Sequence, residues 1–258
     1  MQLKKSNDVL LAVFCGAFFL SSYLVANVPI GESVTWVSAF FIVALALPSY
    51  YYFIKWAGPK KGMLILILFA IFPVIIESIG ISTGIPYGSF HYAETMGFKI
   101  LGLVPWSVTF AFGPLLLGSM TVTTRLSQNA SLAIPASAIV LVLVDLVLDP
   151  AAVVLNIWVW SQPGAYYGVP LVNFVGWFIT GTVASIIFHL LTRANSDKMV
   201  QMPRTIASSL FIILSFWSGF SLWKGLFVPL LVGILLIGFL SWRLYYPQLT
   251  IRNRQKKN

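Results

Sequence analysis

The sequence predicts an all-α fold: a polytopic transmembrane helical bundle of about eight spans, with seven as the alternative, and both termini cytoplasmic. Three observations carry this expectation. The chain has 258 residues, of which 59% are hydrophobic and only 9% charged. A soluble domain carries roughly 25% charged residues, so this surface must meet lipid. Its mean hydropathy is +0.90, and apolar runs of ~20 residues, the length that crosses a bilayer, tile it almost completely. Finally, its basic residues fall in alternating connections.

The runs lie at 8–27, 34–54, 62–81, 102–121, 131–149, 171–192, 205–222 and 225–242. The first follows Lys4 and Lys5 and contains Cys15, the one cysteine, which excludes an internal disulfide. It lacks a small-residue cleavage site, so it is expected to remain as a helix. The second ends at Lys55, and the third follows Lys60 and Lys61. The fourth stops short of Arg125. The fifth closes at Asp149, because the residue before Pro150 is pushed out of the helical region. The sixth lies between Pro170 and Arg193, and the seventh follows Arg204. The eighth is joined to it only by Trp223 and Lys224, which leaves a re-entrant hairpin as the alternative. A basic cytoplasmic tail occupies 247–258. An even span count puts fourteen of the sixteen Lys and Arg residues on the side of the termini; Lys99 and Lys224 fall opposite. That asymmetry sets the orientation. It also gives the net charge of +9 a membrane-surface meaning and excludes nucleic acid as partner. The triplet Asn129-Ala130-Ser131 falls on the cytoplasmic side and is not a glycosylation site. No stretch is left for a soluble domain, so residues 1–258 form one integral-membrane domain, multi-pass in the cell membrane.

Three of the seven carboxylates lie at membrane depth: Glu77, Asp145 and Asp149. Such placement is costly and marks a functional site. Asp145 and Asp149 are four residues apart and share a helix face. The alternatives are structural: an end-of-helix turn for Asp149, buried hydrogen bonds for Asp145 and Glu77. No Lys or Arg lies at the same depth, so burial and mutual repulsion favour the neutral acid, the form that donates a proton. Glu94 and Glu32 lie in outer connections; Asp8 and Asp197 stay inside.

Two outer loops are too long and too aromatic for linkers. Residues 81–105 hold Gly84, Pro86, Gly88, Gly97 and Gly102, which break the backbone repeatedly, and the potential binding groups Tyr87, Phe90, His91, Tyr92 and Glu94. Residues 149–170 carry Trp158, Trp160, Tyr166 and Tyr167. Each ring alone fits an interfacial aromatic belt. Irregular backbone at this depth needs protein or a cavity beside it, so the two loops together are expected to form a lid. His91 divides between site and lid structure; His189, near a helix C-terminus, is structural. With one usable histidine and no fixed ligand spacing, no metal site is expected.

The segments ESIGISTGIPYGSFHY at 77–92, GLVP at 102–105, DLVLDP at 145–150, WVW at 158–160 and YYGVPLVNFVGW at 166–177 occur in the order found in membrane carotenoid hydratases of the CruF type. These include archaeal bisanhydrobacterioruberin hydratases and bacterial hydratases of acyclic carotenoid ends. The chain resembles this family over about residues 60–190; spans 1, 2, 7 and 8 match in hydropathy alone. The resemblance implies a cofactor-independent hydro-lyase that adds water to the terminal C=C of a long acyclic carotenoid, leaving a tertiary alcohol. Its partners would be a carotenoid, water, the bilayer and other enzymes of carotenoid synthesis. It assigns no catalytic residues. Chemistry does so: Glu77, Asp145 and Asp149 for proton transfer and water activation, and Trp158, Trp160, Tyr87 or Tyr166 for cation–π stabilisation. A second carboxylate or Asn173 would hold the water, and His91, Tyr92 and Glu94 would complete the binding site. A carotenoid end-group cyclase would begin with the same protonation. A proton-coupled transporter would use the acids as a relay, but no inverted repeat of broken helices supports it. A pigment-binding protein is the remaining alternative.

Overall fold

The computed structural model describes residues 2–28, 35–193 and 198–246. Glu32, Asp197 and the 247–258 tail lie outside these residues. Among the described residues the chain forms eight α-helices: α1 Gln2–Asn27, α2 Thr35–Ala57, α3 Pro59–Thr83, α4 Val108–Leu126, α5 Ala130–Val154, α6 Leu171–Thr192, α7 Ser208–Trp223 and α8 Phe227–Tyr245. Seven, α7 being counted with the 3-10 turn Arg204–Ala207 that leads into it, are long and apolar enough to cross a membrane, which makes this an integral membrane protein. The exception is α4. Fourteen of its nineteen residues are buried, and it packs against α2, α3, α5, α6, α7 and α8. A helix enclosed by others needs no lipid-compatible surface, so it can carry Ser119, Thr121, Thr123 and Thr124. The three threonine hydroxyls bond back to the carbonyls of Leu117, Ser119 and Met120.

Gly118 lets α4 approach α7 closely. A Cβ there would stand 2.6 Å from Leu210 Cβ and 2.7 Å from Leu210 Cδ2. Gly118→Val is therefore expected to lower stability by about 1–3 kcal/mol through overpacking, read as a lower midpoint of thermal unfolding in detergent.

Several helix boundaries differ from expectation: the first helix starts at Gln2 rather than 8 and the fourth ends at Leu126 rather than 121, and two further differences bear on the site. The fourth helix starts at Val108 rather than 102, because 99–105 turns back as a hairpin of β2 Lys99–Ile100 and β3 Val104–Pro105. Leu101 and Gly102 make its turn at φ 55° and 71°. The fifth helix runs through Pro150 to Val154. Proline at 150 supplies no N–H for the carbonyl four residues earlier. That carbonyl, on Leu146, accepts instead from the Tyr166 hydroxyl at 2.8 Å. The same device recurs in α4, where Pro114 frees the Phe110 carbonyl and Tyr50 Oη lies 3.4 Å from it. A buried polar group left unpaired would be costly, and a tyrosine from a neighbouring segment removes that cost. At the other end of α5, Asn129 Oδ1 accepts from the Ser131 amide at 2.9 Å. The apparent glycosylation triplet is a helix N-cap.

α7 and α8 meet through residues 224–226, with Gly225 at φ 69°, and stand as two helices. The beginning of α1 and the end of α8 meet at one end of the bundle. There Asp8 pairs with Arg204 at 2.5 Å, and Arg204 lies over the Tyr245 ring at 4.5 Å. Arg125 and Arg243 cap carbonyls at this end: Arg125 bonds Thr121 and Met202, and Arg243 bonds Arg125. The two long loops emerge together at the opposite end.

Candidate functional site

The long loops pair. β1 Phe90–Tyr92 and β4 Trp158–Trp160 form an antiparallel ribbon with Phe90 opposite Trp160, His91 opposite Val159 and Tyr92 opposite Trp158. Side chains alternate along a strand. Phe90, Tyr92, Trp158 and Trp160 therefore share the face turned into the bundle, and His91 and Val159 face outward, both exposed.

Tyr87 anchors the first loop. Its ring enters between α3 and α6 where each carries a glycine: a Cβ on Gly80 would lie 2.7 Å from Tyr87 Cδ2, and one on Gly176 would lie 2.6 Å from Cδ1. The ring is fully buried, 4.9 Å from that of Trp177, and its hydroxyl is 2.7 Å from Thr180 Oγ1.

Beneath the ribbon lies a cavity of about 150 Å³. Its walls come from α2 (Phe41, Ile42, Leu45), α4 (Phe112, Leu115), α5 (Leu141, Leu148, Ala152), α6 (Trp177) and α7 (Ile213, Trp217), with Tyr87, Phe90, Tyr92, Met96, Trp158 and Trp160 from the first loop and the ribbon. Phe112 stacks on Trp177 at 6.0 Å and 22°. Glu77, Asp145 and Asp149 all open onto this space, and among the described lining residues there is no lysine, arginine or histidine. All three are buried. Tyr92 Oη donates to Glu77 Oε2 at 2.5 Å, and Asn173 Nδ2 donates to Asp149 Oδ2 at 2.5 Å. Asp145 Oδ2 meets no protein partner among the described residues.

Burial and the adjoining Glu77 carboxylate raise the Tyr92 phenol well above its ordinary range. Burial does the same for Tyr87, assisted by Glu77 and Asp145. Both hydroxyls therefore stay protonated; that of Tyr92 donates to Glu77, and that of Tyr87 pairs with the Thr180 hydroxyl. Among the described residues no group of three or more His, Cys, Asp or Glu side chains is arranged to hold a metal ion.

The cavity thus gathers Glu77, Asp145, Asp149, Tyr87, Tyr92, Trp158, Trp160 and Asn173. Three expected residues stand elsewhere. His91 is on the outer face of the ribbon. Glu94 is exposed and pairs with Lys99 at 2.7 Å, which holds its carboxyl below the usual range. Tyr166 serves the Leu146 carbonyl. In the other direction, sequence reasoning missed the contributions of α2 and α7 and the Phe112–Trp177 wall. Trp177 closes the last of the sequence segments quoted above, which was the available signal.

A membrane bundle with an acid-lined, aromatic-walled cavity under a two-loop lid defines an integral membrane protein whose polar chemistry is held within the bundle. The family model described as carotenoid biosynthesis protein matches residues 31–240, and the chain belongs to that family. Bisanhydrobacterioruberin hydratase of Haloarcula japonica is 31% identical over 188 residues, which cover 71% of this chain and 64% of that protein. The match thus spans less than two thirds of the relative's length. No solved structure matches the chain.

Proposed function

We propose that this protein is a carotenoid hydratase, adding water to the terminal C=C of an acyclic carotenoid end group. The observation that carries this is the set of three carboxyl groups lining one apolar, aromatic-walled cavity with no lysine, arginine or histidine among the described lining residues. The name of the Haloarcula relative supports it. Hydration of an unactivated trisubstituted alkene begins when a proton moves to its less substituted carbon. A buried neutral carboxyl group is suited to that step. Asp145 is the donor in this reading, because Tyr92 and Asn173 engage the other two acids. The resulting tertiary cation faces Trp177, Phe112, Tyr87 and Trp158, whose ring faces attract positive charge. Water captures the cation, and a carboxylate takes the surplus proton. The cavity holds one end group; the remaining polyene, about as long as the bilayer core is thick (~30 Å), extends among the apolar helices. The basic asymmetry supports cytoplasmic termini and a lid facing the other side of the cell membrane.

The test is expression in cells accumulating lycopene or an anhydro-C50 carotenoid, with mass spectrometry of the extracted pigments. A product heavier by one water is expected. Absence of such a product from either pigment, or a new ring at unchanged mass, overturns the reading. His91→Ala and Glu94→Ala should leave hydration within about threefold of the parent, as surface substitutions usually do. The same pigment assay checks it.

A further inference from the structure

The polar groups around the cavity can be accounted for one at a time. Tyr92 donates to Glu77, Asn173 to Asp149, and Tyr87 pairs with Thr180. The Trp160 indole N–H reaches the Tyr87 carbonyl at 3.4 Å. Two groups remain. Asp145 Oδ2 and Trp158 Nε1 are both buried, and neither meets a protein partner among the described residues. Asp145 and Trp158 line the same cavity. The ribbon fixes Trp158 in place: it sits opposite Tyr92, its ring edge-on to the tyrosine at 6.1 Å and 89°.

Buried donors and acceptors are normally satisfied, and each exception calls for an explanation. An indole N–H can only donate, whereas a carboxyl oxygen donates or accepts according to its protonation. A molecule that satisfies both must accept at one position and exchange a proton at another. A polyene does neither; water does both. We infer that Trp158 and Asp145 together bind the water that is added, with Trp158 acting through its N–H and not only through its ring face. This inference rests on the hydratase reading above.

The step balances within the site. The Asp145 O–H bond breaks, the alkene π pair forms the new C–H bond, and a tertiary cation and a carboxylate result. Water held by the Trp158 N–H gives a lone pair to the cation, forming the C–O bond. The oxonium proton passes to Asp145, which regains its starting state. One water has been added and nothing else consumed. Positioning matters because an uncaptured cation can return a proton to the same carboxylate and revert to alkene.

That competition supplies the test. Membranes containing the full chain and an acyclic carotenoid are incubated in heavy water, comparing the parent with Trp158→Phe, which keeps an aromatic face and removes the N–H. Hydrated product should fall about tenfold or more, the scale of one lost transition-state hydrogen bond. Deuterium should still enter the end group of recovered alkene, because proton transfer survives. Trp158→His, which restores a ring N–H, should recover part of the hydration. Unchanged hydration in Trp158→Phe overturns the assignment. So does an equal loss of hydration and deuterium entry in both variants, the pattern of a purely structural residue. A parent protein that forms no hydrated product overturns the hydratase reading itself, whereas a hydrating parent with either pattern above overturns the water site alone.

Discussion

Asp145→Asn is expected to lower hydration by about 10²–10⁴-fold, the usual contribution of a positioned general acid, while the protein still inserts and folds. The side chains have nearly the same shape, so the α5 face that fills the cavity floor is preserved. An amide cannot supply an acidic proton to an alkene. The substitution also breaks no recorded hydrogen bond at Oδ2, since that oxygen meets no protein partner among the described residues. It replaces a buried acid with a neutral group, so the cost of desolvating charge does not rise. Loss of activity should therefore come without loss of stability. Product formed per unit of membrane-inserted protein measures the first quantity, and thermal unfolding in detergent the second. Activity within tenfold of the parent would remove Asp145 from the donor role. Glu77→Gln and Asp149→Asn differ in kind. Each alters a carboxylate that accepts a 2.5 Å hydrogen bond, from Tyr92 and Asn173 respectively, so their effects mix chemistry with positioning.

The bundle and its acids were legible in the sequence because membrane burial makes both conspicuous. A carboxylate within an apolar run of twenty residues has few ordinary explanations, and Glu77, Asp145 and Asp149 do meet at one cavity. The two loops were legible as a lid from their glycine, proline and aromatic content. Their register was not. Whether His91 or Tyr92 faces inward depends on which residue pairs with Trp158, and strand pairing between residues 66 to 70 positions apart leaves no local mark. A one-residue change of register would exchange the two faces. Tyr166 illustrates the same limit. Its hydroxyl answers a carbonyl that Pro150 frees, and that need becomes visible only once α5 is seen to run through the proline. The fourth span was misplaced for a related reason. Hydropathy reports what lipid would tolerate, and α4 meets protein on most of its surface, so its first apolar residues were assigned to helix when Leu101 and Gly102 form a turn. The parts taken from α2 and α7 were hidden because Phe41, Ile42, Leu45, Ile213 and Trp217 look like any membrane-facing residues.

Ala152→Phe is expected to abolish turnover, by a hundredfold or more, with every acid left in place. Ala152 is fully buried on the last turns of α5 and lines the cavity one turn beyond Asp149. A benzyl group there would project into a space of about 150 Å³, which already has to hold a branched end group and a water. The two cannot share it, and a reacting carbon displaced by about 1 Å from its acid already costs on the order of 10²-fold. Ala152 is fully buried, so the ring also presses on packed neighbours, and a stability loss of about 1–3 kcal/mol, typical of an overpacked site, is expected beside the loss of activity. Two measurements are needed: hydrated product from membranes of known protein content, and the amount of carotenoid that remains with the purified protein. Both should fall together, because the variant excludes the end group, whereas Asp145→Asn should lose product and keep the pigment. If Ala152→Phe retained full activity, the alkene would have to meet its acid somewhere other than beneath the β1–β4 ribbon. The cavity would then be a packing defect of the bundle and not the place where the double bond is protonated.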